Sequence, residues 1–400
     1  MSRLYQGFLE KMKWSYPWLA QYPLWKAQTF FRRLTEETAG PRHLIIVVAN
    51  HFEPGWNEQL LPMTLDTQMV RLEHWLDEAR VTGSVIRDSD GRPFCHTCFY
   101  PAEQYHRPLL EMLEGMEEEG LGEVEIHLHH GVREPDTAAN LRQSLVEFRD
   151  LLAEEHRCLS RMYDEGRPMY GFVHGNFALA NSKGGSCCGV DDEMQILAET
   201  GCYADFTLPA VPQQSQTPKI NALYQCGHPL TEAVPHRSGP DLQVGVKPRL
   251  PILITGPVVF NWHRRWRGLP LPRIEDGALT ASYPLDPGRL RLWSNARIGV
   301  RGRPEWVFIK LYCHGFFDAD QPVMIGERIR RFWSEMLAHS ERTGEFKIHF
   351  VTARESFNLV MAAIDGRSGE PGQYRDFLLR PIRRMRKDVQ NVGVADVSRS

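Results

Sequence analysis

The chain has 400 residues with 47 basic against 50 acidic side chains, a formal net charge of −3. That balance leaves no positive excess for a nucleic-acid surface, so nucleic acid is not an expected partner. No apolar run approaches the roughly 20 residues that span a bilayer, and the charge-interrupted start has no secretory pattern. The eight cysteines are scattered, with Cys187 and Cys188 adjacent. They form no disulfide framework, which suits a reducing cytoplasm.

Residues 1–42 read as a basic, aromatic helical extension, with Lys11, Lys13, Lys26, Arg32 and Arg33 set among Trp14, Trp18 and Trp25. Such a segment either packs on the body with its basic face in water or lies on an anionic membrane surface. The second alternative would make a cytoplasmic protein peripheral to the inner membrane through residues 1–33.

From residue 43 apolar runs alternate with amphipathic ones. Residues 44–49 (LIIVVA) are a continuous apolar run, as in a parallel strand covered on both faces. Met69, Leu72, Trp75, Leu76 and Ala79 then give a helix one buried face. A strand over 94–100, a helix over 106–118 and a strand over 123–129 follow, and Asp136 is placed to cap the next helix. Strands at 170–173 and 203–207 bracket a helix opening at Asp191-Asp192-Glu193, acids suited to a helix N-terminus.

Residues 208–250, rich in Pro, Gln, Ser and Gly, are too long for a connector. They read as an inserted loop at a substrate entrance, with Tyr224 and residues 213–216 able to meet sugar hydroxyls. Strands at 252–255, 306–312 and 347–351 and helices at 323–340 and from 353 complete the rhythm. Repeated β-then-α units imply right-handed crossovers and a parallel α/β sheet, open or closed. The domain so built spans 43–366. A basic C-terminal helix and tail over 367–400 carries Arg375, Arg380, Arg383, Arg384, Arg386 and Lys387.

The chemistry gathers first in Gly122-Glu-Val-Glu-Ile-His-Leu-His-His130. As a strand it sends Val124, Ile126 and Leu128 one way and Glu123, Glu125, His127 and His129 the other. An interior tolerates such a polar face only when its members pair or hold a metal, and two His at i, i+2 can share one cation. Cys95 and Cys98 form no such site. On a strand, i and i+3 face opposite sides, and no second pair follows.

Other strand ends repeat the theme: Asn50-His51-Phe52-Glu53-Pro54, His174-Gly175-Asn176, and Lys310-Leu311-Tyr312-Cys313-His314. Reactive groups in parallel α/β folds collect at such ends, and four His-bearing ends predict metal-assisted hydrolysis. A divalent ion with one open position lowers the pKa of bound water and polarises a carbonyl. The predicted ligands are His51, His127, His129 and Glu53. Glu53 is either ligand or base, and His314 is the general acid. His130, His174, Asn176, Lys310, Tyr312 and Asp191 are expected to line the substrate, with Asn176 or Lys310 steadying the oxyanion.

The order of these motifs over about residues 43–360 resembles the polysaccharide deacetylase superfamily, carbohydrate esterase family four and its relatives. The resemblance implies a distorted (β/α) barrel with parallel strands, a zinc-like divalent ion, and removal of N- or O-acetyl groups from carbohydrate by attack of a metal-bound water. Asn50-His51, or His51 with Glu53, stands where the family has a pair of Asp, which makes Asn50 a catalytic candidate; no Asp-Asp pair is present. His127–His130 stands at the ligand His, residues 172–176 at a substrate loop with Val173 in place of Arg, and Leu311-Tyr-Cys-His314 at the acid's Leu-x-His. The chain also resembles bacterial proteins that share His-Gly-Asn (174–176), Cys-Gly-Val-Asp-Asp-Glu (188–193) and Tyr-Ala-Asp-Phe-Thr (203–207). Two alternatives are a glycosidase using Glu53 with Asp191, Asp192 or Asp205, and a non-catalytic carbohydrate-binding protein.

Overall fold

The computed structural model describes residues 3–384, apart from 37–39, 58, 264, 267 and 284. Its main sheet contains β1 (Arg42–His51), β2 (His96–Pro101), β3 (Gly122–Leu128), β4 (Glu165–His174), β5 (Cys202–Asp205), β6 (Leu223–Gln225), β7 (Ile252–Ile254), β8 (Trp306–His314) and β9 (Phe346–Val351). Their order is β8-β1-β2-β3-β4-β5-β7-β6, with β9 on β1. Every one of these pairs is parallel except β6 with β7. The central strand β1 pairs with β8 from His43 opposite Trp306 to His51 opposite His314. On its other edge it meets β9 first and β2 at its end.

The apolar run of β1 follows from burial on both faces. Leu44, Ile46 and Val48 pack with Leu72, Trp75 and Leu76 of the helix Leu65–Val85. Ile45, Val47 and Ala49 pack inward with Phe99, Val173, Tyr203 and Phe308. Each fully buried side chain of this kind contributes about 1.5–3 kcal/mol.

The mixed α/β architecture and the mostly parallel sheet agree with the sequence pattern. A closed ladder is absent among the described residues, because β8 and β6 end the sheet without pairing to each other. The free edge of β8 is covered instead by loops: Tyr312 donates to Gly277 O and accepts from Leu279 N. Gly256 and Gly277 come so close that a Cβ would stand 2.7 and 3.0 Å from the carbonyl oxygen of Lys310. Only glycine admits that approach.

The polar face of β3 is satisfied rung by rung. Glu123 accepts from Arg354 and from Thr352 Oγ1. Glu125 accepts from Tyr203 Oη and from the amide of Gly171. His127 and His129 continue the line to the open end of the sheet, described below.

Two expected segments differ. The C-terminal helix is not formed in the described part of 367–400, which instead contributes a short strand at 379–381 antiparallel to 160–162. The arginines are drawn inward as ion pairs. Arg375 bonds Asp88, Asp90 and Glu355, and Arg383 bonds Glu114 and Glu118. Arg386 and Lys387 lie outside the described residues. Residues 208–250 are packed structure containing β6. Tyr224 is fully buried and donates to His236 O, while Gln216 accepts from Ala210 N and donates to Thr217 O. Tyr224 and Gln216 are therefore committed internally rather than offered to hydroxyls.

The N-terminal extension is the helix α1 (Arg3–Thr35). It docks through Trp18, with Leu19 and Tyr22, on Ile220, Val258 and Phe260. Met12, Tyr16, Leu24, Phe31 and Leu34 remain exposed. Among the described residues no helix is long and apolar enough to cross a membrane.

Candidate active site and a second metal-ligand cluster

The ends of β1, β3 and β8 converge on one group of side chains. His127 donates from Nδ1 to the carbonyl of Val173 at 2.8 Å, and its Nε2 lies 3.0 Å from Glu53 Oε1. His129 Nε2 lies 3.4 Å from the same oxygen, while its Nδ1 donates to Glu103 at 2.6 Å. The His51 ring is 5.2 Å from that of His127 and 4.9 Å from that of His314. Ligand atoms of His51, Glu53 and His127 all lie within 4.8 Å of one another.

The electrostatics follow from burial among imidazoles. For Glu53, burial alone would raise the carboxyl. The His127 hydrogen bond and the surrounding rings outweigh it and hold the group down at about 2. His51 is driven well below the usual imidazole range by burial first, then by His314 and His127. Burial also lowers His314, opposed in part by Glu53. His129 is raised, because Glu103 and Glu53 outweigh its desolvation. The buried Nε2 of His51 has no hydrogen-bond partner. An unpartnered imidazole nitrogen beside an ionised carboxylate and a second imidazole is a donor set that fits a divalent ion.

Two neighbours shape the approach. Asn176 and Phe177 both adopt left-handed backbone, φ 55° and 57°, a conformation that costs bulky residues about 1–3 kcal/mol. It brings the Phe177 ring within 5.5 Å of His51. On the other flank an open cleft of about 830 Å³ runs from Glu103 and His129 along residues 130–137 to Phe148.

A second cluster lies one residue further along. His130 and His174, predicted to line the substrate, come together instead with Cys188 and Glu193 in a buried group that could hold a metal ion. Nε2 of His130 and of His174 approach Glu193 Oε1 at 3.3 and 3.4 Å. Cys188 Sγ is 3.5 Å from Glu193 Oε2. Glu193 is held at about 2 by these imidazoles despite its burial, and burial lowers His174 to about 4.

Of the remaining predicted residues, Tyr312 stands beside the first group, its ring 6.3 Å from that of His51, and the others are not gathered into either group. Asn50 faces away from His51 along β1 and packs against Gly315, where a Cβ would meet its Oδ1 at 2.5 Å. Asn176 is exposed. Asp191 is exposed and accepts from Asn181 at 2.6 Å. Lys310 is buried and donates to Leu208 O, its ammonium lowered to about 7 by desolvation. It lies in the floor rather than at a contact surface. Tyr312 donates to Asp276 at 2.8 Å. Cys95 and Cys98 are buried free thiols.

Sequence reasoning missed Glu103, Phe177, Cys188 and Glu193 as site residues. The last two stand in the Cys-Gly-Val-Asp-Asp-Glu motif, but only the fold brings them to His130 and His174. Comparison of the chain with protein-family models and with curated proteins gives no match.

Proposed function

We propose that the chain is a metal-dependent hydrolase that removes acetyl groups from N- or O-acetylated carbohydrate. The observation that carries this reading is the convergence of His51, Glu53, His127, His129 and His314 at the open ends of the strands, beside a cleft. The reading also takes the sheet as a distorted (β/α) barrel of the polysaccharide deacetylase kind, closed over β8 by loops.

His51, Glu53 and His127, with His129 alongside, are the residues that would hold the ion. A divalent ion of the zinc class bound there would activate water and polarise an acyl carbonyl. Val173 O fixes the His127 tautomer by accepting its Nδ1 proton, so Nε2 is the nitrogen offered to the ion. Glu103 orients His129 in the same way. The ionised Glu53 serves as ligand or as acceptor of the water's proton. His314 stands beside His51 and is stacked on Phe317 at 5.6 Å. It supplies the proton to the departing amine or alcohol. Phe177 excludes water from the His51 side.

Acetate release from acetylated amino-sugar oligomers by metal-loaded protein is the test. No release across a broad panel would turn the reading to a glycosidase or a binding protein. The exposed apolar line on α1 beside Lys13, Lys26 and Arg33 supports a further element, peripheral contact of a cytoplasmic protein with an anionic membrane bearing lipid-linked glycans.

A further inference from the structure

We infer that His130, His174, Cys188 and Glu193 form a second, closed metal centre of structural type that clamps the wall of the cleft. Its donor set is two imidazole nitrogens, one thiolate and one carboxylate, which matches a tetrahedral ion of the zinc class. Thiolate disfavours magnesium and calcium, which take oxygen ligands.

The geometry of the imidazoles carries the argument. His130 Nδ1 donates to Asp136 Oδ2 at 3.0 Å, and His174 Nδ1 donates to Gly175 O at 2.6 Å. Those bonds commit the Nδ1 protons and leave both Nε2 atoms directed at one carboxylate oxygen, Glu193 Oε1. The Nε2 of His174, a fully buried side chain, has no hydrogen-bond partner. The lone pair of His174 Nε2 facing a carboxylate is repelled, and a cation shared with His130 Nε2, which otherwise bonds Glu193 Oε1, removes the conflict. An imidazole anchored through its outer nitrogen by a carboxylate or a backbone carbonyl is the usual support of a metal-binding histidine. Cys188 completes the set: its Sγ accepts from Val190 N at 3.5 Å and lies 3.5 Å from Glu193 Oε2, and burial beside that carboxylate keeps it a thiol until an ion binds. Metal binding releases the thiol proton to solvent.

The centre is closed. The side chains of His130, His174 and Glu193 are 5%, 0% and 0% exposed, and Cys188 is buried. Apart from His130, which borders the cleft, the ligands are shut away from it, unlike the strand-end group with its partly exposed His129. What the ion would join are three segments otherwise linked by a few hydrogen bonds. Asp136 N donates to Cys188 O at 2.7 Å, Cys187 N donates to Gly131 O at 3.0 Å, and Ala180 N donates to Glu193 Oε2 at 2.5 Å. Residues 131–137 are one wall of the cleft. The ion would therefore fix that wall relative to β3 and β4.

Cobalt(II) loading of the full chain tests the assignment, because only a thiolate ligand gives a thiolate-to-cobalt charge-transfer band. The expected result is that band in wild type and in His127→Ala/His129→Ala, and its loss in Cys188→Ser. Metal counting should give two ions per wild-type chain and one in His127→Ala/His129→Ala. A wild type that binds cobalt without the band overturns the centre, as does a band that persists in Cys188→Ala. Should the cysteine variants fail to fold, the wild-type and His127→Ala/His129→Ala spectra still decide. Failure of the strand-end site would appear separately, as equal metal in wild type and His127→Ala/His129→Ala.

Discussion

His127 turns its Nε2 towards Glu53 Oε1, 3.0 Å away, because Val173 O takes the proton on the other nitrogen. A neutral imidazole in that tautomer sets a lone pair against a carboxylate, so a proton or a cation must lie between them. With a metal there, Glu53→Gln separates the two roles of the carboxylate. As a ligand, its loss removes one ion from elemental analysis. As a base, its loss leaves the ion and lowers kcat by about 10²–10⁴-fold. Full metal and full activity in Glu53→Gln would rule out both roles.

His314 faces His51 across the β1–β8 register with rings 4.9 Å apart. If it delivers the proton to the leaving group, His314→Ala keeps its metal and loses about 10²–10⁴-fold in turnover. Loss of an ion in that variant would make His314 a ligand instead. Metal analysis and acetate release on the same preparation distinguish the outcomes.

The polar spine of β3 was legible because alternation on a strand is local. Once Val124, Ile126 and Leu128 pack on the helix side of the sheet, Glu123, Glu125, His127 and His129 must share the other face. Strand-end histidines were legible for the same reason. His130 was not, since it follows the last paired residue and turns to Asp136 and Glu193, which are 6 and 63 positions away in the sequence. Asn50 was misplaced by reading Asn50-His51 as a unit, although neighbours on a strand face opposite sides. The basic C-terminus was misread because composition does not distinguish a solvated arginine from one bonded to Asp88 and Glu355 inside the fold.

Arg354 is buried and bonds Glu123, Asp376 and the carbonyls of Arg375 and Leu379. Arg354→Met leaves the Glu123 carboxylate without its guanidinium, and stability in urea should fall by about 3–5 kcal/mol. Glu123→Gln combined with Arg354→Met should recover part of that loss. A single-variant cost below about 1 kcal/mol would place the pair among weak surface contacts.

Stability should fall on acidification above the carboxylate range. His96 is enclosed by Trp75 and Phe94, donates to Met324 O, and is pushed by burial from 6.5 to about 4. The unfolded chain binds this proton near 6.5 and the folded chain only near 4. The contribution is complete above 6.5 and is lost as pH falls through 4, at most about 3 kcal/mol. His43 and His236, also near 4, add to the same slope. His96→Leu should flatten urea stability between these pH values, whatever its cost at neutral pH. Parallel profiles for variant and wild type would dismiss His96 as a contributor.

Membrane contact by α1 is best tested without deleting the helix, because Trp18 covers Ile220 and Val258 and its removal would bare them. Met12, Tyr16 and Leu24 stand outside that contact and are 49%, 71% and 56% exposed. Replacing all three by Ser leaves the dock intact and removes much of the apolar face that would enter the headgroup layer. The full chain should sediment with vesicles containing anionic lipid, and less so as salt rises, since each cation near such a surface is worth about 1 kcal/mol. The triple variant should stay in the supernatant. If the wild type also stays there at low salt, α1 serves only to cover the loop it packs on.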